Sequence, residues 1–183
     1  MKPLKYIEKL NVDFVQKEKT PLGRELAEMQ VHQKTFAELD RLPIAQFLEQ
    51  LGIGFFKHSV VENYKLTRDK LGTGINGSVI RVQRRSDNTL GALKIVYKNA
   101  PRSEAEVKLH AFATQCPHVV RILDVYENQY RGRSCYLIIM ECMSGGELFD
   151  RIQQSKITER DAAKIMKEIG TAVQVKQCYL KIK

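Results

Sequence analysis

The chain has 183 residues, 43% of them hydrophobic and 28% charged, and a formal net charge of +9. That size fits one domain, or a small domain with an extension, and the composition excludes a wholly disordered chain. No apolar run approaches the ~18–20 residues that span a bilayer, and Met1-Lys2-Pro3-Leu4-Lys5-Tyr6 does not open a secretory signal, so neither a membrane partner nor a leader is expected.

Residues 1–60 read as a helical, loop-rich extension. Thr20-Pro21 has the form of a helix start, and Leu22, Leu26, Met29, Phe36 and Leu39 recur at roughly helical spacing. Pro43 breaks that run. Ile44, Phe47, Leu48 and Leu51 then follow at i, i+3, i+4 and i+7, and Gly52 and Gly54 are expected to end the helix. The segment either packs on its neighbour or serves as a docking or regulatory element, and its residues alone do not separate the two.

From 61 to 143 the pattern changes to short β-rich runs: Tyr64–Gly72, Ser78–Arg84, Thr89–Tyr97, Val119–Glu127 and Ser134–Glu141. A helical stretch over Ser103–Thr114 interrupts them, giving the order β-β-β-α-β-β. Residues 144–174 read as helical again. Thr158 and Asp161 have capping-box spacing, and Ala162, Ile165, Met166, Ile169 and Val173 form one apolar face behind them.

The excess charge is local. Residues 1–60 hold nine basic and eight acidic side chains, whereas 61–183 hold twenty-one and thirteen. Such an excess suits anionic ligands such as phosphates, and equally suits a mildly basic soluble surface. The Lys and Arg are scattered and there is no Trp, so no nucleic-acid partner is expected. Cys116, Cys135, Cys142 and Cys178 show no CxxC or zinc spacing, and they read as reduced thiols of a cytoplasmic or nuclear protein.

The sharpest motif is Leu71-Gly72-Thr73-Gly74-Ile75-Asn76-Gly77-Ser78-Val79, which contains GxGxxGxV. Glycines let the backbone approach phosphate oxygens with no Cβ in the way. A dinucleotide fingerprint needs a helix directly after the glycines. Here Ser78-Val79-Ile80-Arg81-Val82-Gln83-Arg84 alternates like a strand, which is the hairpin that lies over ATP phosphates in protein kinases. No GK[ST] follows, so it is not a Walker A loop. Next comes Gly91-Ala92-Leu93-Lys94-Ile95-Val96, with a lysine mid-strand among apolar neighbours. It is either an edge-strand lysine facing solvent or the phosphate-contacting strand-3 lysine, which needs a carboxylate on the next helix. Glu104 and Glu106 are the candidates, and Glu106 is the better placed. Ser103 and Glu106 also have capping-box spacing, so Glu106 could instead cap its helix.

A buried apolar strand then runs into a connector and a helix start, Leu137-Ile138-Ile139-Met140-Glu141-Cys142-Met143-Ser144-Gly145-Gly146-Glu147-Leu148. With Glu106-Val107-Lys108-Leu109-His110, Cys116-Pro117-His118-Val119-Val120-Arg121-Ile122 and Asp124-Val125-Tyr126-Glu127-Asn128, this stretch resembles the MAP-kinase-activated protein kinases. These are Ser/Thr kinases of the calcium/calmodulin-dependent group. The resemblance covers about residues 62–174 and implies an α+β fold: a kinase small lobe with a five-stranded antiparallel sheet and one helix, then the first two large-lobe helices. It implies ATP as ligand, with magnesium arriving as Mg·ATP, and as partners an upstream MAP kinase and protein substrates. Leu71, Val79, Ala92 and Met140 would enclose the adenine, with Met140 as gatekeeper. The Glu141 carbonyl and Met143 amide would bond its edge, and Glu147 would reach the ribose. Gly72, Gly74 and Gly77 would cover the phosphates beside Lys94 and Glu106. The hinge stretch could also be an ordinary strand-to-helix turn, and Glu147 a helix cap.

The sequence departs from that family in two respects. It contains no HRD, DFG or APE, so the catalytic Asp and the magnesium ligands are absent from this chain. Glu159-Arg160-Asp161 only resembles HRD, because it opens an amphipathic helix with acidic residues near the positive end. After Gln174 the pattern departs in Val175–Lys183. The expectation is a nucleotide-binding portion that is catalytically inactive alone. The alternative is a non-catalytic nucleotide-binding or scaffold form acting through partners. Uncovered faces on the last helices would favour self-association.

Overall fold

A computed structural model describes residues 36–74, 77–154 and 157–180, with backbone alone for 174–180. The expected helix start at Thr20-Pro21, with Leu22, Leu26 and Met29, lies outside these residues, as do Ile75 and Asn76 of the glycine loop and the side chain of Cys178. The elements run α1 (Ile44–Gln50), β1 (Gly54–Phe56), α2 (Val60–Asn63), β2 (Tyr64–Gly74), β3 (Gly77–Arg84) and β4 (Leu90–Tyr97), then α3 (Ser103–Ala113), β5 (Ile122–Tyr130), β6 (Arg133–Glu141), α4 (Leu148–Gln153) and α5 (Glu159–Leu180). No helix among the described residues is long and apolar enough to cross a membrane.

The sheet has six strands in the order β1-β5-β6-β4-β3-β2, one more than the five expected. The five expected strands pair antiparallel. The sixth, β1, pairs parallel with β5, Gly54 opposite Asp124 and Phe56 opposite Tyr126. Gly54 therefore opens a strand rather than ending a helix. Gly52 does end α1: it sits at φ +72°, its N–H reaches the Glu49 carbonyl, and the Ile53 N–H reaches the Leu48 carbonyl at 3.0 Å. That pair of bonds satisfies carbonyls left over at the helix end, and it needs a left-handed residue that glycine adopts without strain.

Strands β4 and β6 are buried on both faces, so they read as nearly continuous apolar runs. On one face Ala92, Val96, Tyr136, Ile138 and Met140 meet Val107, Ala111 and Phe112 of α3, and Phe36, Phe47, Leu48 and Ile53 join the same core. On the other face Leu93, Ile95, Leu137 and Ile139 pack with Val60, Tyr64, Val82 and Tyr126. There the Tyr64 hydroxyl donates to Asp124 and accepts from the Arg84 guanidinium. Burial and the adjacent Asp124 carboxylate push the Tyr64 phenol up to about 12.

At the far end, Thr158 and Asp161 cap α5 reciprocally: the Asp161 N–H reaches Thr158 Oγ1 at 3.2 Å and the Thr158 N–H reaches Asp161 Oδ2 at 3.2 Å. The Thr158 hydroxyl, donating to Asp161 Oδ2 at 2.7 Å, and the Thr158 N–H hold the Asp161 carboxyl below its usual range. Behind the cap, Met166, Ile169 and Val173 remain exposed, as do Phe149 and Ile152 of α4.

Candidate nucleotide site

The described residues on either side of the expected phosphate loop pair as the two strands of a β-hairpin. Gly72 lies opposite Val79, Thr73 opposite Ser78 and Gly74 opposite Gly77, with irregularities in register between Leu66 and Gly72. Thr67 donates its hydroxyl to the Arg81 carbonyl at 2.8 Å across this irregular stretch. Val79 is in turn opposite Lys94, and Ala92 is opposite Met140. Directly opposed residues of an antiparallel pair share a face. Val79, Ala92, Lys94 and Met140 therefore stand on the α3 side of the sheet.

Lys94 is the one charge in the middle of β4, and α3 supplies its partner. Its ammonium lies 2.6 Å from Glu106 Oε1, with each side chain about a third exposed, at 32% and 30%. A capping box between Ser103 and Glu106 does not form. Ser103 is the first helical residue, behind Arg102 at φ 60°, and its hydroxyl donates to the Lys98 carbonyl at 3.0 Å. A lysine held by a carboxylate beside a glycine hairpin presents a fixed cation where phosphate oxygens can approach.

The β6 exit is also ordered. Glu141 binds Arg121 twice, its N–H to the Arg121 carbonyl at 3.0 Å and its Oε1 from the Arg121 N–H at 2.7 Å. Met143 is 67% exposed in the connector. Glu147 sits at the N-cap position of α4 but makes no side-chain capping bond.

Beneath α3, between it, the 117–120 loop and α5, lies a cavity of about 720 Å³. Lys94, Glu106, Glu141 and Met143 line it. Ala92 and Met140 are packed into the core with Val79 against them, while Leu71 and Glu147 are exposed and lie outside the cavity lining. The cavity also takes in His110, Val120, Ile165 and Ile169, none of which the motifs assign to the nucleotide. Their proximity depends on how α5 sits against α3, and no local pattern carries that. Among the described residues no group of three or more His, Cys, Asp or Glu is placed to hold a metal ion.

His110 has a predictable role in acid. Its Nε2 lies 3.0 Å from the Val120 carbonyl, which fits a neutral ring donating from that nitrogen. Burial depresses its pKa, and the nearby Lys94 ammonium adds to the effect. The unfolded chain thus takes up a proton that the folded one resists, so this contribution to stability is present above the unfolded value and lost as pH falls from there through the lower folded value. Urea midpoints are expected to drop between about pH 7.5 and 5.5, and His110→Gln is expected to flatten that drop. Equal slopes in the two proteins would contradict the assignment.

A model of the protein kinase domain matches residues 66–179, running past Gln174 along α5. The chain is 48% identical over 132 residues to MAP kinase-activated protein kinase 2 of Oryctolagus cuniculus, covering 70% of this chain and 36% of that protein. It is 44% identical over 117 residues to MAP kinase-activated protein kinase 2 of Drosophila melanogaster, covering 62% and 32%. It is 36% identical over 130 residues to MAP kinase-activated protein kinase 5 of Homo sapiens, covering 67% and 27%. The chain spans about a third of the length of its kinase 2 relatives. The sheet with α3 corresponds to a kinase small lobe, and α4 and α5 to the start of the large lobe. Together the match over 66–179 and these likenesses establish that the chain belongs to the protein kinase family, within which it resembles the MAP kinase-activated protein kinases.

Proposed function

We propose that these residues are the nucleotide-binding portion of a Ser/Thr protein kinase of the MAP kinase-activated type. The observation that carries this reading is the 2.6 Å pair of Lys94 and Glu106 beside the glycine hairpin. In this reading Gly72, Gly74 and Gly77 cover the ATP phosphates and Lys94 contacts the α- and β-phosphates. Leu71, Val79, Ala92 and Met140 enclose the adenine. The Glu141 carbonyl and Met143 N–H bond its edge, and Glu147 turns to the ribose. Magnesium comes with the nucleotide, its protein ligands supplied from outside these residues. The whole protein moves the γ-phosphoryl group of ATP to a Ser or Thr hydroxyl under an upstream MAP kinase.

These 183 residues alone do not catalyse that transfer, because no HRD Asp positions the hydroxyl and no DFG Asp holds magnesium. Incubated with Mg·ATP and a basic serine peptide, the chain is expected to incorporate no more phosphate than Lys94→Met. Turnover clearly above that control would overturn the inactive reading. The exposed Phe149, Ile152, Met166, Ile169 and Val173 are covered by further large-lobe elements or, in these residues alone, by a second copy.

A further inference from the structure

One charge in the core has no part in the nucleotide site described above. Lys108 of α3 is only 6% exposed. Its ammonium donates to the Asp40 carbonyl at 2.8 Å and the Leu42 carbonyl at 2.9 Å. Glu104 Oε1 lies 3.1 Å away, Asp40 Oδ1 3.7 Å, and the ring centroid of Phe47 5.6 Å. Lysines are rarely buried unless fully partnered, because an ammonium stripped of water needs every donor used. Here the two carbonyls belong to the segment that leaves the helical turn at 36–39, so the cation ties that segment to α3.

Apolar contacts continue the same attachment. The rings of Phe36 and Phe112 meet edge to face at 5.2 Å, and those of Phe36 and Phe47 at 6.0 Å. Further along, β1 fastens the segment to the sheet through β5. Residues 36–56 thus grip α3 at one end and the sheet edge at the other. Glu106 and Lys108 stand two positions apart, so they project from different sides of α3. One reaches into the sheet to Lys94, and the other reaches out to the extension.

We propose that residues 36–56 brace α3 and that Lys108 is a positioning residue, setting the place from which Glu106 meets Lys94. Its effect on nucleotide rests on the reading of the site given above. Lys108→Met keeps most of the stem and removes the cation. Two measurements on the full chain test it. In hydrogen exchange, Lys108→Met is expected to speed exchange across Ser103–Ala113 while β5 and β6 keep their protection. In displacement of a fluorescent ATP analogue, it is expected to weaken ATP about tenfold, within the usual range of coupling between sites. That loss is expected to shrink in a Glu106→Gln background, where there is no pair left to position.

A lowered melting temperature with unchanged α3 exchange and unchanged affinity would overturn the proposal. So would fully additive effects of Lys108→Met and Glu106→Gln. If the unaltered chain binds no ATP, the reading of the site fails, and α3 exchange alone decides the brace. If Lys108→Met does not fold, Glu104→Gln replaces it. That change removes only the carboxylate charge 3.1 Å from the ammonium, with the same direction of effect expected and unchanged α3 exchange counting against the brace.

Discussion

Phe47→Ala is expected to destabilise the protein by about 3–5 kcal/mol, the usual cost of truncating a buried phenylalanine. The ring is 0% exposed and lies in the core shared by α1, α3 and the sheet. Its removal deletes the edge contact with Phe36 and the aromatic face beneath the Lys108 ammonium. Little around it can close the cavity, since Leu48 and Val107 are fully buried and α3 is held on its other side by the sheet. For a chain of this size the loss corresponds to a melting temperature lower by about 6–20 °C. Phe149→Ala is the control. That residue is 63% exposed, and its truncation is expected to change stability by no more than about 0.5 kcal/mol. Similar losses in the two variants would show that the 36–56 segment is no part of the core.

The second large effect is on binding. Lys94→Met is expected to weaken ATP about 10–100-fold, because a hydrogen bond to a charged group contributes roughly 1.5–3 kcal/mol. Methionine keeps most of the stem, on the sheet face shared with Val79 and Ala92, so the change isolates the charge. Glu106 then loses the Lys94 ammonium, but with the pair about a third exposed water reaches the carboxylate, and stability is expected to move by no more than about 1 kcal/mol. The expected pattern is therefore a large loss of affinity with a nearly unchanged melting temperature. Displacement of a fluorescent ATP analogue measures the first and thermal unfolding the second. Equal affinity in the two proteins would remove Lys94 from the site.

Much of this architecture is written in local pattern. The strands from Tyr64 to Glu141 follow from short apolar and alternating runs bounded by turn residues. The α5 cap follows from Thr158 and Asp161 alone. Lys94 stands out because a charge interrupts an apolar strand after a glycine loop. What stayed hidden needs distant parts of the chain. Strand β1 has three residues, and β2, β3, β4 and α3 separate it in sequence from its partner β5, so Gly54 resembles a helix stop. Glu104 and Lys108 look like an ordinary i, i+4 surface pair. Burial of the lysine comes from Asp40, Leu42 and Phe47, which no helical spacing connects to it. The cavity likewise exists only because α5 lies against α3.

In the proposed function the Lys94–Glu106 pair and the glycine hairpin form one nucleotide site. An ATP titration followed by amide chemical shifts tests this most directly, since it locates the ligand residue by residue. Saturable shifts are expected at Gly72–Gly77, Ala92, Lys94 and Glu141–Met143, all lost in Lys94→Met. Shifts confined to α5, or the same shifts persisting in Lys94→Met, would contradict it.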